Sequence, residues 1–187
     1  MNTAVSTEVY WGKLIHPVFQ NRPILVAVTS EGLCRITWPH ETRELLNDWV
    51  EKRIPGAALL EDQERVTPYI EQLQQYLDGK RKVFELPVDL RGTPFQVSVW
   101  QALARIPCGE TRSYSDIAEA VGRPAAVRAV GMANGANPVP IVIPCHRVIG
   151  KNASLTGFAG GLRVKEDLLN LEGFRAYTAA GHARFKF

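Results

Sequence analysis

Cys145 and His146 stand side by side, directly after the longest apolar run of the chain, residues 138–143. A thiol next to an imidazole can serve as a nucleophile with its own proton acceptor. Proline donates no backbone hydrogen bond and disfavours both a helix and a central strand. Three prolines fall within seven residues here, at Pro138, Pro140 and Pro144. The sequence therefore predicts a stiff, buried, extended connection that positions and activates the cysteine, although the dipeptide alone is weak evidence because most buried cysteines are inert.

Three further side chains could take part in chemistry. Arg128 is the one charged residue inside an alanine- and glycine-rich segment, residues 125–133, and could clamp a phosphate or act as a wedge in a narrow groove. A packed helix with one surface arginine is the alternative. Tyr114 could donate its phenol to a phosphate or a base, or be a packed aromatic. Glu172 follows the last predicted helix, where the helix dipole disfavours a carboxylate, so it needs another partner.

The remaining cysteines and histidines are assigned no chemistry. Cys34 and Cys108 are predicted to be structural, His16 and His40 to be surface loop residues, and His182 to lie in a frayed tail. Three widely spaced cysteines without a CxxC motif or paired histidines support neither a disulfide framework nor a zinc site. We expect no metal and no cofactor.

Composition and charge narrow the function classes. Apolar content of 45% and charged content of 22% are ordinary for a globular protein, no apolar run approaches the length of a membrane span, and residues 1–8 do not resemble a secretory signal. We therefore expect a cytoplasmic protein. Residues 1–91 have a net charge of −2 and residues 92–187 a net charge of +5. The second half is the one expected to face a polyanion, with a mildly basic solvated surface as the alternative.

The N-terminal half, residues 1–91, is predicted to be a small α/β scaffold domain. Runs of β-branched and aromatic residues predict strands at residues 10–14, 24–30, 33–38 and 83–88. Helical spacing predicts helices at residues 42–52 and 66–78. Nothing in this half carries obvious chemistry.

Residues 92–175 are predicted to form a second, mostly helical domain, followed by a tail at residues 176–187. A helix starting at Thr93 or Pro94 opens this domain, and residues 162–171 form its last helix. Between them lie two short helices joined at Gly122, the first capped by Ser113 or Ser115 and the second opened by Arg123-Pro124. Two short helices around a tight glycine turn predict a helix-turn-helix. The second helix lacks side chains that read bases, so we expect little sequence preference.

The order of motifs in this half resembles the O6-alkylguanine-DNA alkyltransferases. Arg128-Ala129-Val130-Gly131 is followed by Asn137-Pro138-Val139-Pro140-Ile141, by Pro144-Cys145-His146-Arg147-Val148 and by Gly160-Gly161-Leu162. The match covers roughly residues 92–173, about half of the chain. It implies an α+β protein in which a ribonuclease-H-like α/β domain precedes a winged helix-turn-helix-like catalytic domain.

The resemblance also implies a mechanism. Cys145 would attack the alkyl carbon on guanine O6, His146 would accept the thiol proton through a water, and Glu172 would orient His146. Tyr114 would give a proton to the leaving purine, and Arg128 would fill the gap in the duplex after the nucleotide is flipped out. Asn137 would brace the turn between the second helix of the helix-turn-helix, the recognition helix, and a strand carrying the cysteine. The thioether product offers water no activated carbonyl, so the protein should act once.

The implied contacts fall into two groups. The pocket walls would be Pro140, Val148, Phe158 and Ala159. The residues facing DNA would be Tyr114, Ser115, Arg123, Arg128 and Lys151. The partner would be double-stranded DNA carrying O6-alkylguanine, with O4-alkylthymine as a further substrate, and the protein would be a monomer that does not bind a membrane.

This chain departs from the family at two pocket positions. Phe158 stands where the family often has tyrosine, and Ala159 where it often has serine. Both changes remove a hydroxyl, but the backbone N–H of Ala159 can still donate, so we expect activity. The zinc ligands that some members carry in the N-terminal domain have no counterpart here.

Three other functions were weighed. An alkyltransferase-like lesion sensor would lack the reactive Cys145. A winged-helix transcription regulator with Cys145 as a sensor would carry base-reading side chains on its second helix. A Cys-His hydrolase would need a substrate-binding module, and the basic second half does not suggest one.

Overall fold

The structure is a computed structural model that describes residues 7–178 of the 187-residue chain. His182 and most of the predicted tail therefore lie outside the described residues. The first half contains a four-stranded mixed sheet in the order β3-β2-β1-β4. Its strands are β1 (Glu8–Ile15), β2 (Pro23–Thr29), β3 (Gly32–Ile36) and β4 (Ala58–Glu61).

The sheet is built around a hairpin and one parallel crossover. β1 pairs antiparallel with β2, and β2 with β3 across the predicted turn, where Gly32 has φ +141°. β4 pairs parallel with β1. β4 was not predicted, because its four residues are only half-buried or exposed and show no alternating pattern.

Two helices cover the two faces of this sheet. α1 (Arg43–Arg53) follows the N-cap Thr42. Its buried residues Leu46 and Val50 pack against one face of the sheet and form a small core with it. α2 (Gln63–Leu77) packs its buried residues into a larger core, which continues into the second half of the chain. Both helices were predicted. α2 is therefore one of the elements through which the scaffold half reaches the rest of the molecule.

Two predictions for the first half were wrong. Residues 83–88 are not a strand: only Val88 makes an isolated bridge, to Leu33, because Pro87 has no N–H to donate and Val83 is exposed to solvent. His16 is not a surface loop residue. It is buried, and its Nε2 lies 2.8 Å from Oδ1 of Asp78, the residue at the C-terminal end of α2.

The second half is mostly helical, as predicted. α3 (Pro94–Leu103) has a capping box between Thr93 and Gln96, and α4 (Tyr114–Ala120) has one between Ser113 and Asp116. α4 ends near Gly122, which has φ +73°. α6 (Leu162–Leu171) has the predicted bounds, and no helix among residues 7–178 is long and apolar enough to cross a bilayer.

The second helix of the helix-turn-helix, α5 (Val127–Gly135), begins later than predicted. Residues 123–126 form a turn closed by the Ala126 N–H donating to the Arg123 carbonyl over 2.9 Å. Pro124 therefore lies in this turn, ahead of the N-cap Ala126, and not in the first turn of α5. α5 has no side-chain cap of its own and packs against α3 and α4.

The connection before the cysteine is buried, but it is not the extended segment that was predicted. The Ile143 N–H donates to the Val139 carbonyl over 2.9 Å, and Ile141 sits between them with φ +75°, which is strained for a β-branched residue. The chain therefore turns back on itself and enters a two-residue strand, β6 (Val148–Ile149). β6 pairs parallel with β5 (Arg112–Ser113) at the start of α4.

Candidate active site

Cys145 opens a 3-10 turn, Cys145–Arg147, and does not lie in a strand as was expected. The tight turn before it prevents a strand, since the Cys145 N–H is used locally by the Ile143 carbonyl at 2.8 Å. Burial raises the pKa of the Cys145 thiol to about 11, although the Asn137 side chain and Lys165 oppose the shift. Burial therefore disfavours the thiolate, so a nearby base has to take the thiol proton.

His146 is fully buried next to that thiol and has the properties of such a base. Burial lowers the pKa of His146, although the Glu172 carboxylate opposes this, so the imidazole is neutral at neutral pH. Its Nε2 lies 2.8 Å from Oε1 of Glu172 and donates to it. Nδ1 is then the acceptor nitrogen, and it contacts no hydrogen-bonding group among residues 7–178. A buried imidazole with one free acceptor nitrogen can take a proton.

Glu172 has the partners that its position required. It caps the C-terminal end of α6, and its carboxylate accepts from Arg147 Nη2 at 2.7 Å, from Arg147 Nε at 3.0 and 3.1 Å, and from the Gly109 N–H at 3.2 Å. Burial alone would raise the pKa of Glu172, but the hydrogen bonds from His146 and Arg147 hold it below its ordinary value. The carboxylate is therefore ionised and fixes the His146 tautomer.

Asn137 makes two hydrogen bonds within the turn before Cys145. Its Nδ2 donates to the Ile143 carbonyl over 2.8 Å, and its Oδ1 accepts from the Val139 N–H at 3.1 Å. Both groups of the buried amide are used to close one turn. Asn137 thus determines where the chain delivers Cys145.

Tyr114 is the first residue of α4 and is mostly buried. Its hydroxyl lies 2.7 Å from Oγ1 of Thr156, in the loop before α6. Burial raises the pKa of Tyr114, so the phenol keeps its proton. The ring also faces Gly131 of α5 at ordinary contact distance. The phenol is therefore a proton donor held between the helix-turn-helix and the loop.

The predicted pocket walls differ in exposure. Pro140 and Val148 are buried, Phe158 is half-buried and Ala159 is exposed. The loop carrying the last two packs on Trp38 of the first half. The Phe158 and Trp38 rings make an edge contact with centroids 5.3 Å apart, and a Cβ added to Gly160 would lie 2.9 Å from the Trp38 ring. The scaffold half thus supports the loop from behind.

Lys165 is fully buried beneath this loop. Its Nζ donates to the Val148 carbonyl over 2.7 Å and lies 5.6 Å from the centroid of the Phe158 ring. Burial lowers the pKa of Lys165 to about 8, while Cys145 opposes the shift. A buried cation close to the thiol favours its ionised form. No role was predicted for Lys165. Its position on the apolar face of an amphipathic helix could have indicated that it is a buried, functional lysine.

The residues predicted to face DNA lie at the surface of the second half. Arg123, Arg128 and Lys151 are exposed, and the Arg123 guanidinium lies 5.8 Å from the Phe95 ring. Ser115 is half-buried, and it lines one surface groove together with Lys151. The structure thus separates a buried group, Cys145, His146, Glu172 and Asn137, from these surface residues, with Tyr114 between them. Among residues 7–178, no group of histidine, cysteine and carboxylate side chains is suited to hold a metal ion.

Comparison with protein families gives two matches along the chain. Residues 94–174 match the DNA binding domain of 6-O-methylguanine DNA methyltransferase, and residues 19–90 match its ribonuclease-like domain. The inducible methylated-DNA–protein-cysteine methyltransferase of Bacillus subtilis is 51% identical over 163 residues, which are 87% of this chain and 89% of the relative. The Methanosarcina mazei protein of that name is 43% identical, over 87% and 96% of the two chains.

Solved structures agree with these matches. O6-methylguanine methyltransferase from Mycobacterium tuberculosis superposes with a TM-score of 0.75 at 38% identity, over 92% of this chain and 96% of that one. The OGT protein of the same organism, solved in complex with DNA, gives a TM-score of 0.75 at 39% identity, over 87% and 92% of the two chains. The ribonuclease-like and DNA-binding halves seen here therefore have solved counterparts.

Proposed function

Since this chain belongs to the 6-O-methylguanine DNA methyltransferase family and is a DNA-binding, methylated-DNA–protein-cysteine methyltransferase that repairs O6-alkylguanine directly, we propose that Cys145 is the cysteine that takes up the alkyl group. The observation that carries this proposal is that a buried cysteine is followed directly in the chain by a buried histidine whose Nδ1 has no hydrogen-bond partner among residues 7–178. Neither Cys34 nor Cys108 is followed or preceded by a histidine in the chain. Cys34 donates to the Ala27 carbonyl, and Cys108 lies half-buried in the loop after α3.

The proposed reaction is one displacement. The thiol proton passes to Nδ1 of His146, through a water, and Sγ attacks the alkyl carbon as the bond from that carbon to guanine O6 breaks. The electron pair of that bond goes to the purine, which receives a proton from the Tyr114 hydroxyl and leaves as neutral guanine. The imidazolium of His146 is stabilised by Glu172, which stays ionised because Arg147 donates to it.

The substrate we propose is double-stranded DNA with the damaged nucleotide flipped out. An alkyl group on guanine O6 cannot reach a buried thiol from within the base stack. Arg128 is exposed on α5, where its neighbours Val127, Ala129 and Met132 are also exposed, so it can enter the duplex and fill the gap. Small residues around it permit close approach to the groove. Tyr114 and Ser115, at the start of α4, face the DNA beside it.

The remaining proposals concern the pocket and the whole molecule. The pocket is lined by Pro140, Val148, Phe158 and Ala159. O4-alkylthymine is the further substrate that we propose for this pocket. We propose a scaffold domain at residues 1–91 and a catalytic domain at 92–175; the boundary falls at Gly92, where a Cβ would lie 2.5 Å from the Trp100 ring. We further propose a monomer located in the bacterial cytoplasm, associated with the nucleoid when bound to DNA.

Repair is expected to stop after one alkyl group per protein molecule. The product is a thioether, which has no activated carbonyl for water to attack, so Cys145 is not regenerated. The measurement is the number of O6-methylguanine lesions removed when damaged duplex DNA is in large excess over protein. A plateau at one lesion per protein supports the proposal. Continued loss of lesions beyond that plateau contradicts it.

DNA affinity is expected to fall with salt and to depend little on sequence. Each phosphate neutralised contributes a slope of about −0.9 to the logarithm of affinity against the logarithm of salt concentration, because counterions are released. Replacing one phosphate-binding cation, in Lys151→Gln, should therefore make the slope shallower by about 0.9. Lys52→Gln, at the end of α1 in the scaffold half, is the matched control and should leave the slope unchanged. A strong preference for one DNA sequence would favour a transcription regulator.

A further inference from the structure

Glu172 accepts one hydrogen bond from outside the catalytic half. The hydroxyl of Tyr76, near the C-terminal end of α2, donates to Glu172 Oε1 over 2.5 Å. Tyr76 is 1% exposed, and its ring packs on Phe84 with centroids 5.3 Å apart. The same hydroxyl lies 3.4 Å from Nε2 of His146. A scaffold residue therefore touches both members of the His146–Glu172 pair.

Three side chains converge on the same carboxylate oxygen. Oε1 accepts from Tyr76, from His146 Nε2 at 2.8 Å and from Arg147 Nη2 at 2.7 Å. A hydrogen bond to a carboxylate disperses its negative charge and fixes its rotation. The Tyr76 donor thus competes with His146 for the charge of Glu172, and it holds Oε1 in the place where His146 needs it.

We propose that Tyr76 is a positioning residue for alkyl transfer, which holds Glu172 and sets how strongly that carboxylate attracts the proton on His146. Burial raises the pKa of Tyr76, and the negative charge of Glu172 raises it further. Its hydroxyl therefore remains a donor throughout the working pH range. Through this bond the scaffold half acts on the basicity of the catalytic histidine. The inference rests on the roles proposed above for Cys145 and His146.

The groups that face this site define the expected pH dependence. His146 is faced by Glu172 and Lys165 from α6 and its C-terminal end, and by Tyr76 from α2. Arg147 lies beside it in the 3-10 turn, and Cys108 faces Glu172 from the loop after α3. Without the Tyr76 hydroxyl, the charge on Glu172 is less dispersed and stabilises imidazolium more strongly. The pKa of His146 therefore rises, and the base is lost to protonation at a higher pH.

The test is the pH profile of Cys145 alkylation by free O6-benzylguanine, which needs no DNA contact. The acid limb is the part of the profile in which the rate falls as the pH falls. In Tyr76→Phe, this limb is expected to move to higher pH by about half to one pH unit, because one hydrogen bond to a buried charge is lost. On the acid side of the His146 pKa the rate should fall by roughly three- to ten-fold, and at pH 8.5 it should stay within about two-fold of wild type. Tyr69→Phe removes the hydroxyl of a half-buried tyrosine on the same helix and is expected to leave the profile unchanged.

Three outcomes would overturn the proposal or its premise. An unmoved acid limb in Tyr76→Phe, whether the rate is unchanged or uniformly lower, means that Tyr76 is merely structural. An equal movement in Tyr69→Phe means that the effect comes from α2 packing. A wild-type profile without an acid limb contradicts the role of His146, not that of Tyr76. Should Tyr76→Phe fail to fold, 3-fluorotyrosine at position 76 keeps the hydroxyl as a stronger donor. The acid limb must then move to lower pH, and a limb that stays in place overturns the proposal.

Discussion

Cys145→Ala is expected to transfer no alkyl group and yet to bind DNA within about two-fold of wild type, the range of an ordinary substitution away from the contacts. The thiol lies in the buried group, whereas the cations Arg123 and Lys151 lie at the surface. Removing Sγ thus removes the only proposed acceptor and none of the phosphate contacts. Transfer is measured as radioactive methyl from O6-methylguanine DNA to protein, and binding as a gel shift of the same duplex.

The matched control is Cys108→Ala, which removes a half-buried thiol from the loop after α3 and is expected to retain transfer. Loss of DNA binding by folded Cys145→Ala would contradict the separation of chemistry from binding. Transfer that persists in Cys145→Ala would contradict the assignment of the acceptor.

Arg128→Ala and Tyr114→Phe are expected to affect the reaction rates with two substrates, duplex DNA and a free base, in different ways. Arg128→Ala should slow repair of duplex DNA far more than reaction with free O6-benzylguanine, because Arg128 fills the base stack and a free base has none. Tyr114→Phe should slow both by about 100- to 10,000-fold, which is the typical cost of losing a positioned proton donor. Both rates are measured under single-turnover conditions with protein in excess.

The comparison between substrates also controls for folding. A misfolded variant fails with both substrates, so a variant that fails only with duplex DNA is folded. If Arg128→Ala impairs the free base as much as duplex DNA, the flipping role is wrong and Arg128 is structural. If Tyr114→Phe leaves the free base unaffected, the purine does not receive its proton from that phenol.

Local features of the sequence predicted much of this fold. The caps Thr93 and Ser113 follow from side chains that satisfy helix N–H groups within a few residues. The bounds of α6 were also predicted, although its N-cap Gly161 makes no side-chain cap. Cys145 and His146 were found because they are neighbours in the chain. β4 was missed because it pairs with a distant strand, which the local pattern does not display. The late start of α5 was missed because residues 123–126 form a separate turn before it.

The rest of the site depends on contacts that the sequence does not display. Glu172 was predicted to need a partner, but Tyr76 is 96 residues away and enters only because α2 packs against the catalytic half. Arg147 stands next to His146, yet nothing in the sequence indicates that its side chain turns to Glu172. The raised pKa of Cys145 is also a property of the packed core, because it arises from burial. It makes the base at His146 necessary.

The most direct test of the account is to locate the alkyl group after the reaction. The protein is mixed with duplex DNA containing O6-methylguanine. The masses of the intact protein and of its proteolytic peptides are then measured by mass spectrometry. Transfer of one methyl group in place of a thiol hydrogen adds about 14 Da to the intact protein, in keeping with the stable thioether that thiolate attack forms. The account predicts that the whole increment lies on the peptide containing Cys145. The same increment on a peptide containing Cys34 or Cys108 would contradict it.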